Sequence, residues 1–133
     1  MEELEVMRLK KLLLKALENR NLMLKWLRQG LKSLKSQDIL KAIKNNETVD
    51  LLLFNHFSKW MYNPALKPLI QTAFRMYWDL VEYFLANPYN LRNELLMAHP
   101  ELTEILYSPQ GVKWLNETCK RGYVRIYRYT WEE

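Results

Sequence analysis

The sequence predicts an all-α fold, a four-helix-type antiparallel bundle that ends in a short extended, strand-like C-terminal segment. Three observations carry this. Apolar residues recur at three- and four-residue spacing along most of the chain, the rhythm of a helical stripe that needs helical neighbours. Only three glycines occur, Gly30, Gly111 and Gly122, too few for the turns of a β-sandwich or the loops of a Rossmann-like fold. The punctuation is Asn-Pro and Ser-Pro, which stops one helix and opens the next.

The first element runs from about Glu3 to Leu34. Val6, Leu9, Leu13, Ala16, Leu17, Leu24, Leu27, Leu31 and Leu34 form its main stripe, interrupted at Arg20. Arg8, Lys11, Lys15, Lys25 and Lys32 lie on the other side, most simply as a solvated face. Leu22 and Trp26 project among those polar residues, and apolar groups on a polar face mark a second contact surface. They are therefore candidate dimer contacts.

Ser36 is expected to cap the next helix, QDILKAIKN, with Asp38 favourable in its first turn. A break near Asn45–Asn46 is followed by a helix from Thr48 to Tyr62, stopped by Asn63-Pro64. The third long helix begins at Ala65 or Pro68 and reaches Ala86. Its polar residues Gln71, Thr72, Arg75, Asp79 and Glu82 gather in a sector about 100° wide, so the rest of its surface needs neighbours. This helix is expected to be the most buried element.

After Asn87-Pro88 the elements shorten. Asn90 is expected to cap LRNELLMA, Pro100 to open ELTEILY, and Ser108-Pro109 to open QGVKWLNETCKR. Gly122 then stands where a helix C′ residue belongs, preceded by Lys120 and Arg121. Beyond it, Tyr123, Arg125, Tyr127, Tyr129 and Trp131 would share one face of a strand, with Val124, Ile126, Arg128 and Thr130 on the other. A lone strand must find a partner, and tyrosine and tryptophan are interface residues. Tyr127, Tyr129 and Trp131 thus join Leu22 and Trp26 as candidate dimer contacts.

The stretch LTEILYSPQGVKWLNETCKRGY and the residues after it, about a quarter of the chain, resemble the common winged-helix ending. There a recognition helix closes on a basic residue, glycine and tyrosine before a strand. The resemblance implies a winged-helix-like subregion over 100–131. Lys113, Lys120, Arg121, Arg125 and Arg128 would then be the nucleic-acid contacts, the last two touching phosphates from the wing. A wing also needs a hairpin, and no second strand follows Trp131.

Composition sets the outer limits. With 133 residues, 49% of them hydrophobic and 26% charged, the chain suits one folded domain spanning 1–133. The net charge of +5 is uneven, with basic ends around an acidic middle, which fits nucleic acid or an oligomer in which ends meet middles. One cysteine, Cys119, forbids an intrachain disulfide, and MEELEVMRLKK is no signal peptide, so a reducing cytoplasm is expected. The most apolar stretch, Leu69–Ala86, carries Arg75, Asp79 and Glu82, which argues against membrane insertion.

Catalytic chemistry finds little to work with. His56 sits among aromatics in FNHFSKW, and His99 stands at a helix boundary where it can serve a helix C-terminus. Neither has a metal-ligand partner at suitable spacing. Asp79 and Glu82 lack the Glu-x-x-His companions of a bundle metal site, and Cys119 lacks a neighbouring base. No catalytic residue, cofactor or metal is predicted. The expected function is a non-enzymatic protein–protein interaction module, homodimeric and with an unidentified protein partner. The alternative is a nucleic-acid-binding, transcription-regulator-like protein, and a third reading is a membrane-surface binder using the basic face of the first helix.

Overall fold

The computed structural model describes residues 2–49 and 57–132, which form eight α-helices, a 3-10 turn and connecting turns, with no strand among them. Helix α1 (Glu2–Glu18) opens on Glu2, Glu3 and Glu5, acidic groups that complement the positive end of the helix dipole. It stops at Asn19, whose side chain accepts from the backbone N–H of Asn21 and Leu22 and so caps α2 (Arg20–Ser33). The continuous stripe read from sequence is therefore two helices, because an asparagine cap competes with helix continuation at this point. Leu9, Leu13 and Ala16 of α1 and Met23, Trp26, Leu27 and Leu31 of α2 turn inward.

Helix α3 (Ser36–Lys44) takes Lys35, not Ser36, at its N-cap position. The Ser36 hydroxyl is occupied elsewhere, donating to the Glu101 carboxylate and lying 2.8 Å from His99 Nδ1. Asn46, with φ of 56°, turns the chain after α3. The helix expected over Thr48–Tyr62 falls partly outside the described residues. Its described remainder, 57–62, makes successive turns, which sink Phe57, Trp60 and Met61 into the core.

The third long helix is divided. α4 (Lys67–Met76) and α5 (Trp78–Leu85) meet at Tyr77, whose φ of −112° and ψ of 37° break the helix. Tyr77 is buried, and its hydroxyl donates to the Leu17 carbonyl at 3.0 Å. The break delivers a donor to the end of α1. Helix α6 (Pro88–Ala98) is capped by Asn87, with Pro88 in its first turn, where sequence favoured Asn90. A 3-10 turn, Pro100–Leu102, leads into α7 (Thr103–Tyr107). Ser108 then accepts from Gly111 N–H at 3.1 Å and caps α8 (Pro109–Trp131).

Helix α8 corrects the predicted ending. The strand-like segment after Gly122 is helical through Trp131, and no hairpin exists among the described residues to make 100–131 a winged helix. Leu115, Cys119, Gly122, Ile126 and Tyr129 are all buried on one side, a three-four rhythm that the alternating aromatics obscured. Gly122 is mid-helix and not a C′ residue. A Cβ there would stand 3.2 Å from the Leu85 side chain, so its smallness serves the close packing of α8 on α5.

α8 packs against α3, α4, α5, α6 and α7, while α1 packs on α2 and α4 and α2 on α6. The helix ends are fastened by distant side chains. The last carbonyls of a helix have no partner within it, and here Gln110 donates to Ile43 and Lys44 of α3. His99 Nε2 lies 2.8 Å from the Leu31 carbonyl of α2. Gln71 and Arg75 donate to the Tyr129 and Thr130 carbonyls of α8, each at 2.9 Å. Arg75 thus adds a cation at the negative end of that helix dipole.

Candidate functional site

An open groove of about 750 Å³ runs along the outer side of α8. Lys120, Arg121, Arg125 and Arg128 line it around Val124 and Tyr129, with Glu117 and Glu132 at its margins. Tyr62, from the turn segment, forms the opposite wall. That wall is held in place. The buried Tyr129 donates its hydroxyl to the Met61 carbonyl at 2.6 Å and meets the Tyr62 ring edge-on at 5.7 Å. Lys67 lies over the other side of the wall, 5.6 Å from the Tyr62 centroid. The Arg128 side chain is 70% exposed and lies 3.9 Å from Glu132.

The five cations assigned from sequence to a recognition helix and a wing, Lys113, Lys120, Arg121, Arg125 and Arg128, all belong to α8. At 100° per residue they fall within about 140° of its circumference and span about 22 Å of its length. All five are exposed. A second hollow, of about 430 Å³, shares Lys120 and Val124 with the first and is also lined by Asn116 and Pro88.

The five candidate dimer contacts do not gather into one surface. Tyr129 is 4% exposed and Trp26 only 8%, the latter packed against Phe57 with ring centroids 4.7 Å apart. Tyr127 and Trp131 are partly exposed, but both rings meet Trp78 of α5 edge-on, at 5.9 and 5.8 Å. Tyr123 joins the same cluster at 5.7 Å. Its spacing, 123, 127 and 131, is one aromatic per helical turn. Leu22 stays at the surface, 36% exposed. It lines a separate groove of about 530 Å³ with Leu9, Leu12, Ala16 and Trp60, over a floor that includes Trp26.

The other sequence candidates are dispersed. His56 lies outside the described residues. His99 is buried, bridging the Leu31 carbonyl and Ser36. Asp79 pairs with Arg20 across helices, 3.0 Å between one pair of atoms, and that hydrogen bond holds its carboxyl below the usual range. Cys119 is buried, and desolvation pushes its thiol up to about 12, which makes a nucleophilic thiolate scarce. Among the described residues no group of three or more His, Cys, Asp or Glu is arranged to hold a metal ion. No helix among them is long and apolar enough to cross a membrane.

Two features escaped the sequence reading. Tyr62 became a groove wall because Tyr129, 67 positions away, supports it. Arg92 lies over two tyrosine rings, Tyr107 at 4.1 Å and Tyr89 at 4.8 Å from its guanidinium carbon. Only the i, i+3 spacing of Tyr89 and Arg92 hinted at half of that contact. Comparisons with protein-family models, curated proteins and solved structures find no match.

Proposed function

We propose that the protein is a non-enzymatic binding module whose principal surface is the cationic side of α8 and whose partner is a nucleic-acid backbone. The observation that carries this reading is the convergence of Lys113, Lys120, Arg121, Arg125 and Arg128 on one exposed helix face. A run of about 22 Å is long enough to meet several consecutive phosphates, and arginine suits their planar, bidentate recognition. The aromatic wall of the groove, Tyr62, gives such a strand an apolar side to lie against.

Fluorescence anisotropy with a labelled oligonucleotide at two salt concentrations tests it. Affinity should fall steeply with salt, and Arg121→Gln with Arg128→Gln should flatten the dependence by about one unit of slope for each phosphate contact removed. Absence of binding at low salt would eliminate the reading.

A homodimer is the second reading, supported by the Leu22 groove. Leu12 and Leu22 are both exposed there beside Glu5, Arg8 and Lys25, an apolar trough with a charged rim of the kind seen at interfaces. Light scattering should then report a dimer that Leu22→Glu converts to monomer. A wild-type monomer at every concentration would remove this reading. With either goes an architecture of antiparallel bundle type in one cytoplasmic domain, in which α8 is scaffold and working surface together.

A further inference from the structure

Tyr89 and Tyr107 are large side chains left well exposed, at 68% and 54%. They come from different helices, Tyr89 from the first turn of α6 and Tyr107 from the last residue of α7. What joins them is Arg92. Its guanidinium lies over both rings, and its Nε is buried with no hydrogen-bond partner among the described residues. Stacking on arginine fixes ring orientation, so both tyrosines are held while large parts of them face water. A ring that is rigid and exposed costs little entropy to cover.

The position of this trio matters as much as its chemistry. Pro88, which precedes Tyr89, lines the same hollow as Asn116, Lys120 and Val124 of α8. Lys120 and Val124 also line the large cationic groove. Lys120 and Val124 thus stand between two neighbouring hollows, one under the charged face of α8 and the other reaching the start of α6. Cations that follow a phosphate backbone, with aromatic rings alongside to receive bases, are the two parts of a single-strand binding surface. In a duplex the bases are stacked on each other and cannot use such rings.

We infer that Tyr89, Arg92 and Tyr107 form a base-stacking platform that selects single-stranded over double-stranded nucleic acid. The inference rests on the proposed phosphate contacts of α8 and adds the class of strand. Arg92, having no ion pair among the described residues, keeps its outward N–H groups for a base edge or phosphate oxygen.

The test is an anisotropy titration with labelled oligothymidylate of about 20 nucleotides, longer than a typical single-strand site of about 4–16, and with a duplex of equal length. Tyr89→Ala with Tyr107→Ala should weaken single-strand binding roughly tenfold or more, leave duplex binding unchanged and leave the salt slope unchanged. Tyr89→Phe with Tyr107→Phe, which keeps both rings, should restore single-strand affinity. Unchanged single-strand affinity in the alanine variant overturns the inference and makes the trio a surface contact of another kind. An equal loss on duplex overturns it as well, and circular dichroism melting identifies a loss caused by misfolding, against which the phenylalanine variant is the folded control. Arg121→Gln with Arg128→Gln reports separately on α8: an unaltered salt slope there defeats the parent reading even if the tyrosine result stands. No wild-type binding to either oligonucleotide defeats both.

Discussion

Arg28 grips Glu94 with both ends of its guanidinium, Nε to Oε1 at 2.8 Å and a terminal nitrogen to Oε2 at 3.0 Å. The carboxylate is 4% exposed, and Tyr83 adds a third donor at 3.0 Å. Because Arg28 and Tyr83 both donate to the Glu94 carboxylate, the three residues tie α2, α5 and α6 together.

Removing the cation should therefore cost more than a surface pair would. Arg28→Ala leaves a buried carboxylate with one neutral donor, and we expect a loss of about 3 kcal/mol, read as a lowered denaturation midpoint. Arg28→Met with Glu94→Leu should recover much of it, because no uncompensated charge stays inside. A double variant as unstable as Arg28→Ala would contradict this.

The two helical glycines of α8 should respond oppositely to alanine. At Gly111 a Cβ would sit 1.9 Å from the Ile105 carbonyl oxygen and 2.9 Å from Leu106 Cα, which are backbone and cannot step aside. Gly111→Ala should force α7 away from α8 and cost about 3 kcal/mol or more. At Gly122 the nearest atom is a Leu85 methyl at 3.2 Å, which can rotate. There the gain in helix propensity, about 1 kcal/mol, offsets the crowding, and Gly122→Ala should be close to neutral. Thermal melts of the two variants separate these outcomes.

Cys119 should be inert while the protein is folded. Burial raises its thiol to about 12, so at pH 8 the thiolate fraction falls roughly a thousandfold below that of a free cysteine. Reaction with a thiol reagent should be slow in buffer and fast in denaturant. Rapid native-state labelling would mean that α8 opens from α5 and α6.

Acid should weaken the molecule from two places. Hydrogen bonding to Arg20 lowers the Asp79 carboxyl, and hydrogen bonding from Ser36 lowers that of Glu101. A depressed carboxyl contributes stability that is complete above its unfolded value and lost as pH falls through the folded one. The loss should thus begin below about pH 4. Asp79→Asn should make the remaining acid transition shallower, and should have its largest effect on stability at low salt, since the pair is exposed. An unchanged acid limb would rule the Arg20 pair out as a contributor.

How far the sequence could be read is clearest in α8. The buried stripes of α1, α2 and α5 followed a single helical period and were legible as such. In the tail, Tyr123, Tyr127 and Trp131 are spaced by four, a distance that belongs to the two-residue period of a strand and also to one helical turn. With Tyr129 and Arg125 between them, the alternation looked like a strand. The decisive residues were Cys119, Gly122, Ile126 and Tyr129, whose three-four spacing is helical but whose mixed chemistry hides it. The cations of the candidate site were all named, yet a strand would have put Arg125 and Arg128 on opposite faces, whereas the helix unites them. Asn19 and Tyr77 escaped because their breaks depend on what they bond, one a local cap and the other a carbonyl 60 positions away. Arg92 escaped for the same reason, since half of its setting arrives from α7.

Helix α8 lies against five others and supplies the donors that close the end of α3. During synthesis, those five leave the ribosome first, with the apolar sides of α4 and α5 and the last carbonyls of α3 still bare. Until Trp131 has emerged the nascent chain offers water the surfaces that α8 is shaped to cover. A product stalled or shortened before α8 would carry those uncovered apolar surfaces and become a client for chaperones and proteases.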